Sequence, residues 1–135
     1  MLLDTHIWLW FAQGDAGRLL PSSVKVLEEA RRNKGLWISA ISVWEIGVHQ
    51  AKGRIQISQP LRDWVRNALA VPGINLIPLD ADIAAESTLF PGTPHGDPAD
   101  RFLIATARTK GLVLATRDHV ILDYGKAGHV HAAKL

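Results

Sequence analysis

The sequence predicts an α/β fold: a three-layer sandwich with a central, mostly parallel sheet of four to five strands and helices on both faces. Two observations carry this expectation. Apolar runs of three to five residues recur along the chain, and each is followed by one or two stretches with helical spacing, the alternation that builds a parallel sheet covered on both sides. A chain of 135 residues without an internal repeat, low-complexity tract or long linker is expected to form one domain spanning 1–135, large enough to bury a core without staples.

The elements follow in order. Residues 1–3 form a short apolar strand, and Asp4 and Thr5 can cap the segment after it. Ile7, Trp8, Leu9, Trp10 and Phe11 then suggest a buried helix ending near Gly14. Pro21, Ser22 and Ser23 open a second helix that Gly35 should stop, and Leu36, Trp37 and Ile38 give the second strand. Ser42 is the expected start of a third helix, with Val43, Ile46 and Val48 as apolar positions and Gly53 as its end. Leu61, Trp64, Val65 and Leu69 are spaced as one face of an amphipathic helix. Residues 74–77 are the third strand, 80–89 a further helix and 97–110 the longest helix, closed by Gly111. Strands at 112–115 and 130–132 complete the set.

Composition narrows the function classes. With 47% hydrophobic and 21% charged residues, the chain has ordinary globular usage. It contains no cysteine, which removes disulfides, thiolate nucleophiles and cysteine-zinc sites together and fits a reducing cytoplasm. The apolar N-terminus lacks a basic leader and carries Asp4 and His6, so it reads poorly as a signal peptide, and no stretch is long enough to span a bilayer. The formal charge is only +2. If five acids gather in one pocket, however, eight acids face fifteen bases elsewhere, and that surface would attract polyanions.

Those five acids are Asp4, Glu45, Asp97, Asp100 and Asp118. Asp4 ends the first strand and Asp118 lies just past the fourth, so parallel strands bring both to one edge. Glu45 is expected in the first turn of the helix after the second strand, and Asp97 and Asp100 open the helix before the fourth. In open α/β sheets functional groups gather beyond the carboxyl ends of the strands, where all of these point. Each has a plain structural explanation: Asp4 and Asp97 as N-caps, Glu45 completing a capping box with Ser42, and Asp118 as a turn residue. Four segments converging on one rim outweigh four separate coincidences. Two ionised carboxylates about 4 Å apart repel by about 4 kcal/mol at an effective dielectric of 20, so either some protonate or a cation neutralises them. Oxygen ligands alone favour a hard divalent ion, Mg²⁺ or Mn²⁺, and the implied chemistry is phosphodiester hydrolysis.

The stretches LLDTHIWLW, ISVWEI, HGDPADRFLIATA and LATRD, in this order and spacing, closely resemble the PIN-domain family, specifically the VapC-type toxins of bacterial and archaeal toxin-antitoxin pairs. The resemblance spans nearly the whole chain. It implies a PIN-like three-layer fold, Mg²⁺- or Mn²⁺-dependent endoribonuclease activity on RNA, and a homodimer, or a dimer of toxin-antitoxin pairs, inhibited by a cognate antitoxin. By position it makes Asp4, Glu45, Asp100 and Asp118 the catalytic and metal-binding acids. Asp97 matches an additional acid that binds metal, caps its helix, or does both. Thr116 matches a hydroxyl residue that orients a ligand or water, a plain strand-end threonine being the alternative.

Arg101 and Arg117 flank the acids as candidates for phosphate contact or for ion pairs within the cluster. His6 and His119 lie close in sequence to the acids and can contact RNA or simply face solvent. Of the six histidines only His129 and His131 have ligand-like spacing, which alternation in a strand explains. The antitoxin of the family lies near the early helices, so part of the stretch from Trp8 to Phe11 is expected to face a partner chain. Two rival classes fit less well. A receiver-type signalling domain, also an Mg²⁺ binder, needs an acid ending a central strand, where residues 74–78 offer none. A structure-specific DNA nuclease needs a helical arch or insertion for which this chain has no segment.

Overall fold

The structure, a computed structural model, describes residues 1–92 and 96–135. Part of the loop before the 97–110 segment therefore lies outside the described residues. Five strands, β1 (Leu2–Leu3), β2 (Leu36–Ser39), β3 (Ile74–Ile77), β4 (Leu114–Thr116) and β5 (Ala132–Lys134), form one sheet in the order β3-β2-β1-β4-β5. All four pairings are parallel, as the fold class requires. The helices are α1 (Thr5–Gln13), α2 (Pro21–Arg32), α3 (Ala40–Ala51), α4 (Leu61–Leu69), α5 (Ala81–Glu86), α6 (Pro98–Lys110) and α7 (His119–Lys126).

Period-two alternation divides the core into two halves. Leu2 and Leu114 point into one, with Ile83, Leu103, Ile104 and Ile121. Leu3 and Ala115 point into the other, with Trp8, Leu27, Ile46 and Trp64. Helices α5, α6 and α7 thus cover one face, and α1, α2 and α4 the other. β1 is two residues long, yet it sits at the centre of the sheet with both side chains fully buried. The chain winds outward from β1 through β2 to β3 and then restarts at β4 on its other side. This reversal of direction is the switch point at which α/β proteins place their sites.

Several boundaries differ from expectation for identifiable reasons. α3 starts three residues early, because Ser39 rather than Ser42 is its N-cap, its hydroxyl accepting from the Ile41 amide at 3.3 Å. Ser42 is instead fully buried inside the helix, where its hydroxyl accepts from the Thr5 hydroxyl at 2.9 Å. The capping box therefore does not form, and Glu45 stands in the second turn. α2 stops at Asn33 rather than Gly35, with Lys34 in the left-handed region at φ 53°. α5 ends at Glu86, short of Leu89. Leu112, just past the Gly111 cap of α6, donates its amide to the Ala107 carbonyl at 2.9 Å, and β4 begins only at Leu114.

β5 is displaced to Ala132–Lys134, since Ala132 is the residue in register with Leu114. His129 and His131 consequently precede the strand, and His129 packs on Tyr124 with ring centres 4.7 Å apart. The helix α7 was not expected: Gly125 disguised it. A Cβ at 125 would stand 3.0 Å from that of Ala132, so close passage of β5 explains the glycine.

No helix among the described residues is long and apolar enough to cross a membrane. Trp8 is fully buried against Trp64, ring centres 5.1 Å apart, and its indole N–H has no hydrogen-bond partner. Trp8→Ala is expected to cost about 3–5 kcal/mol in urea unfolding. Trp8→Phe, which also removes the unpaired donor, is expected to cost less than about 1.5 kcal/mol.

Candidate active site

Each acid reaches the rim for a local reason. Asp4 follows β1 directly and caps α1, one carboxylate oxygen accepting from the His6 amide at 2.9 Å. Its amide donates to the Ala115 carbonyl at 3.0 Å, which ties the cap to the end of β4. Asp118 follows β4 by two residues and caps α7, accepting from the Ile121 amide at 2.9 Å. Asp97 caps α6, accepting from the Asp100 amide at 3.2 Å, and Asp100 sits in the first turn of that helix. The Thr5–Ser42 hydrogen bond fastens α1 to α3, one turn below Glu45.

Thr116 joins two of these segments. Its hydroxyl donates to the second Asp4 oxygen at 2.6 Å and accepts from the Asp118 amide at 2.9 Å. One buried hydroxyl therefore sets the spacing of two acids that lie more than a hundred residues apart in sequence. Asp4 itself is 7% exposed, so the loss of this donor would leave a nearly buried carboxylate short of a partner.

Asp4, Glu45, Asp97, Asp100 and Asp118 line one pocket of about 390 Å³, together with His6, Trp10, His49 and Arg117. The site residues expected from sequence are thus brought together, with two qualifications. Arg101 is not among the lining residues: its guanidinium donates to the Ser87 carbonyl at 3.0 and 2.6 Å and lies 5.2 Å from the centre of the Phe90 ring. Thr116 acts from beneath the pocket floor, fully buried. A larger cavity, about 880 Å³, opens between α1, α4 and the 55–59 segment, but its one acid, Glu28, is paired with Arg31 at 2.6 Å.

His49 and Trp10 join the site without having been expected there. Both were legible as the i+4 neighbours of Glu45 and His6 on their helices. The His49 imidazole lies 3.4 Å from one Glu45 oxygen, while its other ring nitrogen is buried without a hydrogen-bond partner among the described residues. Arg117 donates to the Leu135 carbonyl at 2.5 Å, and its guanidinium lies 5.5 Å from the Trp10 ring centre. The Asp4 carboxylate beside His6 holds that imidazole above its ordinary pKa, against the opposing effect of burial; the charges of Glu45 and Asp100 act in the same upward direction.

The residues suit a hard cation chemically. All five acids offer oxygen, and the second Glu45 oxygen is buried without a hydrogen-bond partner. No three His, Asp or Glu side chains among the described residues converge closely enough to form a ready-made metal cage.

Fold and pocket together define a doubly covered parallel α/β protein with an acid-lined site at its switch point. The chain belongs to the PIN domain family, which matches residues 1–127. It is 30% identical over 118 residues to Ribonuclease VapC22 of Mycobacterium tuberculosis, covering 87% of this chain and 86% of that protein. The fold is shared with VapBC2 from Rickettsia felis, crystallised with a promoter DNA fragment, at a TM-score of 0.65 and 14% identity over 98% of this chain and 96% of that one. It is shared likewise with FitAcB from Neisseria gonorrhoeae, at a TM-score of 0.63 and 22% identity over 97% and 94% of the two chains.

The Thr116 hydroxyl gives the site a direct test. Thr116→Val is expected to lower unfolding free energy by about 1–3 kcal/mol in urea titration, and Thr116→Ser to recover most of it.

Proposed function

We propose that this protein is a Mg²⁺- or Mn²⁺-dependent endoribonuclease and the toxin of a toxin-antitoxin pair. The observation that carries this reading is the meeting of five carboxylates from four segments in one pocket, in a chain 30% identical to a named ribonuclease. Asp4, Glu45, Asp100 and Asp118 would hold the ion, and Asp97, which caps α6, would add a fifth carboxylate at the rim. When bound, such an ion screens the phosphate charge and makes a coordinated water more acidic.

The chain's own residues supply the rest. Thr116 fixes Asp4 relative to Asp118, and His49 steadies one oxygen of Glu45 and leaves the other without a hydrogen bond among the described residues. Arg117, at the pocket wall, is suited to a phosphate oxygen of the bound strand. No cysteine exists to act as a covalent nucleophile, and hydrolysis by water needs none.

The antitoxin reading rests on the structural relatives, which are toxin-antitoxin complexes, and on the early helices. Trp8 and Leu9 are buried, whereas Trp10 and Phe11 are half-buried and line a mainly apolar groove with Leu19 and Val24. An antitoxin segment lying there would reach the acid pocket over Trp10. A homodimer and a cytoplasmic location belong to the same proposal.

Purified protein with Mg²⁺ or Mn²⁺ is expected to cleave single-stranded RNA, and Asp4→Asn and Asp100→Asn to lose about 100-fold or more of that activity. Cleavage that survives a chelator, or equal cleavage by the variants, would refute the proposal. Metal binding has its own readout: at about 100 times the dissociation constant, Mn²⁺ should stabilise the wild type by about 2.7 kcal/mol and Asp4→Asn far less.

A further inference from the structure

The acid pocket has a neighbour with opposite chemistry. His6 and Trp10, one turn apart on α1, line the acid pocket and also a second pocket of about 520 Å³, whose other walls include Gln13, Arg18, Arg54 and Gln56. Its size lies within the usual range for ligand sites. On one side of this partition stand carboxylates; on the other stand guanidinium and amide donors.

The partition is made of flat groups. The His6 ring centre lies 5.8 Å from that of Trp10 and 5.6 Å from that of His49, with interplanar angles of 49° and 48°. The Arg117 guanidinium lies over Trp10. His6 is exposed and Trp10 half-buried, so these rings present surface to both pockets.

The basic side is anchored to the same helix that carries Glu45. After α3 the chain turns at Gly53, and the Arg54 amide donates to the His49 carbonyl at 2.9 Å. Gln13 donates from α1 to the Gln56 carbonyl at 3.0 Å, closing the far wall. Arg18 is paired with Asp15 at 3.0 Å, whereas exposed Arg54 makes no ion pair among the described residues. A solvated guanidinium beside a ring wall, one pocket away from the carboxylates, matches what successive nucleotides of a single strand require. One phosphate lies at the acid pocket, the adjoining base lies against the rings, and the next phosphate meets the cation. A base stacked on a protein ring has left its own helical stack, so the strand is unpaired at that nucleotide.

We propose that the Arg54 pocket is a substrate subsite. It holds the nucleotide adjoining the cleaved bond in an unpaired RNA strand, with the base on the His6–Trp10 wall and the phosphate on Arg54. The proposal rests on the ribonuclease reading above and adds to it where the strand runs and why it must be single.

The test measures kcat and KM for wild type, Arg54→Ala, Trp10→Leu and Trp10→Phe on an unstructured, fluorescein-labelled 20-nucleotide RNA of mixed sequence. Arg66→Ala, on α4 and paired with Asp63, serves as the control. Arg54→Ala should raise KM about fivefold with little change in kcat. It should also flatten the dependence of log KM on log salt by about 0.7, the loss of one single-strand phosphate contact. Trp10→Leu should raise KM about tenfold, and Trp10→Phe, which keeps a stacking face, much less. Thermal midpoints identify any variant that has merely lost its fold, and the Arg54 result stands without the Trp10 pair.

An Arg54→Ala enzyme with unchanged KM and salt slope would overturn the subsite while leaving the ribonuclease intact. If wild type cuts no RNA, the ribonuclease reading fails instead, and anisotropy of the same labelled RNA decides the pocket separately. Weaker binding by Arg54→Ala than by wild type would then support it, and equal binding would overturn it.

Discussion

Parallel pairing of a two-residue strand between two neighbours is the constraint on which the molecule depends. β1 contributes only Leu2 and Leu3, but it lies between β2 and β4, so the end of β1 becomes the place where the two halves of the winding meet. Everything downstream of a parallel strand's carboxyl end emerges on the same rim. Asp4 and Asp118 arrive there as the residues that stop strands and start helices. Their role as caps and their position in the pocket are one fact, since a side chain that accepts from the first amides of a helix also faces the space above the sheet.

The site accumulates negative charge, and neutral donors of the fold meet several of its carboxylates. The Thr116 hydroxyl and the amides of His6, Asp100 and Ile121 each donate to a carboxylate. Such bonds do not occupy all the lone pairs of a carboxylate oxygen. Glu45 differs: lodged in the second turn of α3, it has an imidazole on one oxygen and, among the described residues, no hydrogen-bond partner on the other. Capping does not explain its presence. The sequence also allows Glu45 a plain structural role, as half of a capping box with Ser42, and the start of α3 at Ala40 behind the Ser39 cap removes that alternative.

The wall formed by His6 and Trp10 gives the pocket a direction. Carboxylates on one side and Arg54 with its amide neighbours on the other make a polarised cleft. The five tryptophans divide accordingly: Trp8 and Trp64 fill the core, Trp37 on β2 packs half-buried against it, Trp10 borders the cleft, and Trp44 is 55% exposed on α3. An indole spent at a boundary in this way keeps one face for packing and leaves another for a partner.

The layered fold class, the parallel sheet and the set of acids that line one pocket were legible in the sequence, because they depend on local quantities: apolar run length, helical spacing, and cap residues at fixed offsets. The displacement of β5, the hidden helix α7 and the true start of α3 were not legible. Register is set by which residue of β4 faces β5, Gly125 is required by the approach of Ala132, and the choice between Ser39 and Ser42 turns on a buried hydroxyl on α1. Sequence spacing also placed Arg101 and Arg117 on equal terms as phosphate contacts. Only the packing of α6 against the 87–90 segment separated them, directing Arg101 to the Ser87 carbonyl and leaving Arg117 at the pocket. Local chemistry names the groups a site contains, whereas long-range contacts decide which of them share a wall.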